Sequence, residues 1–214
     1  MRHTTAEGFV DRLDSEFAWR QKELTSLLTE AVTASPALQP LRLRAAVALL
    51  YAHWEGFVKT AADLYVDYVA SKRLLDCDLN DGLRVLALRP RMRKTCEGGN
   101  VAAMSALVAY MSKGLPGRAR VPKDSFSKRI ANLTASDFKR IVHLLGLDST
   151  LYDSLNDSLV DIDLLECRNH IAHGQHRCPH PEDYPQLHED VVRVLRTFKD
   201  QLENAAVLGT YRRP

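Results

Sequence analysis

The stretch CRNHIAHGQHRCPH, residues 167 to 180, holds four histidines, two cysteines and two arginines. Two chemistries suit such a set, metal ligation and proton transfer beside a fixed charge. Zinc takes Cys and His ligands in a closed tetrahedron, usually as two close pairs separated by a longer loop. Here Cys167, His170, His173, His176, Cys178 and His180 crowd together, and no distant second pair closes a site. Cys167 and His170 share a helical face, but the four cysteines (Cys77, Cys96, Cys167, Cys178) form no CxxC pair anywhere. The spacing disfavours a zinc-dependent hydrolase, and neither a metal nor another cofactor is expected. His176, Cys178 and His180 read as part of a proline-punctuated, solvated loop.

Arg168, Asn169 and His173 support the second chemistry. Residues four apart stack on one helical face, so Asn169 and His173 lie together, while Arg168 stands roughly 140° round from His173. Gly174 is expected to end the helix, which leaves His173 beside unsatisfied carbonyls. Cleaving RNA through its own 2′-hydroxyl needs a base, an acid, and a cation against the crowded phosphorane. Histidine serves as base or acid near neutral pH. Arginine brings a permanent charge and a fork of donors that matches phosphate oxygens. The nucleophile belongs to the substrate, so no metal is required. One Arg and one His are barely enough, and two copies of the helix across a two-fold axis would double the set. An Arg and a His at a helix end are also common as plain caps of carbonyls or partners of acids.

The elements that must position these residues are helical almost throughout. Phe9, Leu13, Phe17, Leu24, Leu27, Leu28 and Ala31 form one stripe with charges opposite. Pro36 and Pro40 end that helix and start a second, from about Leu41 to Leu75, whose apolar middle marks it as central and buried. Helical pattern returns at TASDFKRIVHLLG, with Thr134 or Ser136 as its cap and Gly146 as its stop. SLVDIDLLECRNHIAH and LHEDVVRVLRTFKDQLENAAVL supply the last two helices. No run alternates like a strand. The expected fold is an all-α bundle, one domain over 1–214, with an irregular, basic insertion over about 76–134 that includes a helix at VAAMSALVAYMSK.

Composition bounds the partners. Net charge is +2, from 29 basic and 27 acidic residues, so the chain is not coated in positive charge, though a local patch is allowed. Two clusters lie in the middle segment: Arg84, Arg89, Arg91, Arg93 and Lys94, then Arg118, Arg120, Lys123, Lys128 and Arg129. Of these, Arg89, Arg91, Arg93, Lys94, Arg118 and Arg120 are the candidates to neutralise RNA phosphates. A solvated basic surface is the equally good plain reading. No stretch is long and apolar enough to cross a membrane, and no signal-peptide core opens the chain. A cytoplasmic protein with free thiols is expected.

RNHIAHG resembles the Arg-Asn-x-x-Ala-His signature of HEPN ribonucleases. LLYAHWEGFVKTAADLYVDYV, ANLTASDFKRIVHLLGLD and VVRVLRTFKDQLENAAVLGTYRR are similar to segments of the MAE-type HEPN-like branch. Together these cover most of the chain, with residues 76 to 125 matching least. The resemblance implies an α-helical bundle and metal-independent endoribonuclease activity at the interface of a homodimer. It also implies a toxin or phage-defence role, with RNA as substrate and a neutralising antitoxin or defence-system protein as partner. By motif, Arg168 and His173 are the catalytic pair, and Asn169 orients the histidine or contacts the phosphate. Glu55 matches a recurrent acidic position in the second helix, where it either leans toward the cleft or simply pairs with Lys59 four residues on. A HEPN module that binds RNA or nucleotide without cutting is the alternative.

Overall fold

A buried residue every third or fourth position dictates the first two elements. In α1 (Ala6–Thr33), Phe9, Leu13, Phe17, Leu24 and Ala31 turn inward, and the Thr5 side chain caps the start by accepting from the Gly8 amide. Leu27 and Leu28 pack against the edge of the same core. In α2 (Gln39–Ser71), apolar residues occupy nearly every face, and Trp54, Phe57 and Tyr65 are fully buried. A helix wrapped in apolar side chains must run through the middle of the molecule. Truncating Trp54 to Ala should cost about 3–5 kcal/mol through the cavity it leaves.

The computed structural model describes residues 5–97, 99–122, 124–152, 159–175 and 180–213. Among these are α3 (Asp81–Cys96), α4 (Val101–Ser112), α5 (Ala135–Leu145), α6 (Cys167–Ala172) and α7 (Tyr184–Leu208). Short 3₁₀ turns lie at Asp76–Asp78 and Thr150–Tyr152. No strand occurs among the described residues, only two isolated bridges, Leu75 with Arg118 and Leu79 with Arg212. α1, α2 and α7 pack side by side, α6 lies on α2, and α5 bridges α2 and α3. No described helix is long and apolar enough to cross a membrane.

Two stretches differ from their sequence pattern. The 76–134 segment is largely helical in its first half, since α3 runs through Pro90 and α4 follows it. Pro90 and the surrounding arginines hide the apolar period of α3, whose Leu83, Leu86, Ala87 and Leu88 are nonetheless buried. The segment before α6 is not plain α-helix. Leu159–Glu166 winds as a π-helix and tightens at Cys167. The change of winding decides which face of α6 is presented, and the buried Cys167 marks the side that faces the core.

Candidate functional site

Arg168 lies on α6, against the middle of α2. Its guanidinium covers the Tyr51 ring, Cζ 4.2 Å from the ring centroid. Nη1 donates to the Asn169 side-chain oxygen at 2.8 Å, and Nη2 to that of Asn132 at 2.7 Å. Neither partner is charged, and no carboxylate among the described residues pairs with Arg168. Amide oxygens and an aromatic face orient a guanidinium without neutralising it.

The base of this arrangement is built by Glu55. Its Oε1 accepts from Lys59 Nζ at 2.6 Å, and its Oε2 accepts from the Tyr51 hydroxyl at 2.5 Å and the Leu133 amide at 3.1 Å. Burial pushes the Glu55 carboxyl up, but the bonds from Lys59, Tyr51 and Leu133 outweigh it and hold the group below the usual carboxylate range. Burial first, and the hydrogen bond to Glu55 second, push the Tyr51 hydroxyl well above its ordinary value. Tyr51 therefore stays protonated and Glu55 ionised. Glu55 thus pairs with Lys59, as its spacing allows, and also accepts from the hydroxyl of the ring beneath Arg168.

The loop before α5 closes the arrangement from a third side. Asn132 adopts a left-handed backbone, φ 59°, which Asn tolerates better than most residues. Next to it, the Leu133 amide reaches Glu55, and the Ala135 amide donates to Asp161 on the π stretch at 2.8 Å. The Thr134 side chain caps α5, and Gly146, φ 71°, ends it. Thus α2, the π stretch and α6 each hold one residue of a short loop, and that loop holds Arg168.

A cavity of about 410 Å³ opens beside the guanidinium. Arg168, Tyr51 and Glu55 line it together with small or apolar residues, among them Ala48, Ala52 and Ile171. His173 is not in its wall. It sits at the end of α6, exposed, its backbone N–H bonded to the Asn169 carbonyl at 3.0 Å. Gly174, φ 74°, turns the chain away behind it. The structure thus brings together Arg168, Asn169 and Glu55 and leaves His173 outside the cavity wall. His170 is engaged locally, with Gln175 and with Glu166 Oε1.

Tyr51 and Asn132 were not legible as site residues. Tyr51 stands four before Glu55 in YAHWE, a spacing that places both on one face of α2. Asn132 carries no such signal, lying 36 positions from Arg168.

The middle cations divide. Arg91, Lys94, Arg118 and Arg120 converge on a second cavity of about 290 Å³. Arg89 and Arg93 are exposed on α3 outside it, with Arg93 Nε 3.4 Å from Glu97. Arg84 is spent on structure, donating to the carbonyls of Asp76, Cys77 and Leu79 and pairing with Asp81. Lys128 pairs with Asp124 at 2.5 Å. Lys123, His176 and Cys178 lie outside the described residues. Among the described residues, no group of three His, Cys, Asp or Glu side chains is placed to hold a metal ion.

A family model described as MAE_28990-like HEPN matches residues 9–211, almost the whole chain. No curated protein and no solved structure matches.

Proposed function

Because the chain belongs to the MAE_28990-like HEPN family, we propose that it is a metal-independent endoribonuclease that cleaves RNA by attack of the 2′-hydroxyl on the adjacent phosphate. The observation that carries this reading is the state of Arg168: a guanidinium oriented by two amides and a ring, with its charge left unpaired. Such a group suits a phosphorane, whose extra negative charge exists only at the transition state. In this mechanism Arg168 binds the non-bridging oxygens, Asn169 and Asn132 aim it, and Tyr51 with Glu55 supports it from below. His173 takes the 2′-hydroxyl proton or returns one to the leaving 5′-oxygen. Glu55, clamped by three donors and held ionised, is a positioning residue and not the base.

One chain's cavity wall holds Arg168 but not His173, so the proposal includes a homodimer. The wall beside Arg168 includes four small residues, Ala48, Ala52 and Gly56 on α2 and Ala172 on α6, which leave room for a second helix to approach. A two-fold axis there sets each Arg168 near the partner's His173. Exposed His173 also favours a second reading, a module that binds RNA through Arg168 without cutting it. A role as toxin or defence effector, with a neutralising partner, follows from the cleavage reading and stands or falls with it.

The test uses purified protein and mixed RNA, with and without chelator, beside Arg168→Ala. Cleavage that survives the chelator, yields 2′,3′-cyclic phosphate ends and is lost in the variant is the expected result. The same RNA with 2′-deoxyribose at the cut site should resist. RNA bound by the wild type but left intact would establish the binding module instead.

A further inference from the structure

The cavity between α3 and the 117–120 segment is independent of Arg168 and of the cleavage reading. Its wall contains Arg91, Lys94, Arg118 and Arg120, with Asp76, Ala87 and Pro90. Four cations against one carboxylate leave three positive charges facing one concavity. None of the four has an acidic partner among the described residues. For a chain of net charge only +2, three uncompensated charges around one hollow are a marked local excess.

The wall is built and not incidental. Asp76 is 2% exposed. Its Oδ2 accepts from the Tyr110 hydroxyl at 2.6 Å, and that hydroxyl accepts from the Gly117 amide at 2.8 Å. The Asp76 amide donates to the Gly117 carbonyl at 2.8 Å. A Cβ at Gly117 would run into the Tyr110 hydroxyl and ring edge, so glycine lets this knot close. Arg91 lies over the Tyr110 ring, Cζ 4.2 Å from its centroid. The other oxygen of Asp76, Oδ1, is buried and has no hydrogen-bond partner among the described residues. A buried carboxylate oxygen without a donor is costly, and here it belongs to a residue of the cavity wall.

We propose that this cavity binds a nucleoside polyphosphate. Its phosphates meet Arg91, Lys94, Arg118 and Arg120, whose donors match phosphate oxygens. The nucleoside packs on the apolar wall of Ala87 and Pro90, and an amino or hydroxyl group donates toward the unpartnered side of Asp76. A small ligand is favoured over a strand because the cations surround a hollow and do not form a track.

Calorimetric titration of the full chain with ADP, inorganic pyrophosphate and a single-stranded oligodeoxynucleotide tests this, the last carrying a phosphodiester backbone that 2′-hydroxyl chemistry cannot cut. ADP should saturate one site per chain, and pyrophosphate should bind at least about tenfold more weakly. The Arg118→Ala/Arg120→Ala double variant should weaken ADP by about a hundredfold or more, since two charge-assisted contacts to phosphate are lost together. Both side chains are exposed, so circular dichroism should show the fold kept. Pyrophosphate binding as tightly as ADP would overturn the nucleoside part and leave a plain anion site. Oligonucleotide binding that depends on the two arginines but is not displaced by ADP would overturn it in favour of a backbone track. No ADP binding up to about 1 mM would overturn it outright. None of these outcomes depends on whether the protein cuts RNA.

Discussion

Arg168 and the four cations of the α3–α4 region are both candidates for phosphate, yet they are held in opposite ways. Arg168 is a single charge gripped from three sides, by Asn132, Asn169 and Tyr51. Arg91, Lys94, Arg118 and Arg120 are four charges on exposed side chains, only one of them stacked on a ring. Orientation without neutralisation serves a transition state, where a group must already stand where charge will develop. Density without orientation serves ground-state affinity, which falls as salt screens it. The supporting structure follows the same division. α2, beneath Arg168, is the buried centre of the bundle, whereas α4 buries no residue and packs mainly on α3.

The sharpest way to break this contrast is to remove the oriented charge. Arg168→Ala and His173→Ala should each lower cleavage about a hundredfold or more, with helicity and dimer unchanged in circular dichroism and sedimentation. Near-normal cleavage by either folded variant would end the assignment. A folded monomer that cuts as fast per chain as the dimer would show that the site is not shared.

Next in size comes the grip on Arg168. Asn132→Gly keeps the left-handed backbone and deletes the amide, so kcat should fall about tenfold while KM holds, the loss of one bond to a charged group. Asn132→Asp keeps the bond but adds a carboxylate. It should be the more damaging of the two for cleavage, because it neutralises the charge the amide had only aimed. Equal activity in the two variants would show that pairing Arg168 does no harm.

Glu55 offers a smaller effect, read as acid stability. Its carboxyl titrates lower in the folded state than the unfolded value of about 4.3. The stability it contributes is therefore complete above that unfolded value, and it is lost as pH falls through the folded one. Glu55→Gln should reduce stability at neutral pH and flatten the acid limb of a denaturation series. An acid limb as steep as the wild type's would mean that the carboxylate is not the group clamped by Lys59 and Tyr51. Smallest of all should be the effect of Arg118→Ala/Arg120→Ala on kcat, which this comparison places near zero.

Much of the fold was legible. The stripe of α1, the all-round apolar α2, the Thr134 cap and the Gly146 and Gly174 stops all appear where local pattern put them. Caps and periods depend on neighbours within a turn or two, and a sequence displays those directly. α3 escaped because Pro90 sits inside it and its outward face is mostly arginine, so packing of Leu83 and Leu86 had to outweigh a poor local pattern. The π winding of Leu159–Glu166 escaped for a related reason, since its apolar residues also satisfy an ordinary helical period.

What the sequence by itself determined is the inventory: which residues lie on helices, and that Arg168, Asn169 and His173 share one helix end. Tertiary structure decided their company. Tyr51, 117 positions before Arg168, lies under its guanidinium, and Asn132 reaches it from 36 positions away. It also gathered two cations from α3 and two from the 118–120 segment into one hollow, and left Arg89 and Arg93 outside. Periodicity records only which way a side chain leaves its own helix. Which partner it then meets depends on how separate elements pack and on where a left-handed residue turns a loop, and a charge carries no pattern that foretells either.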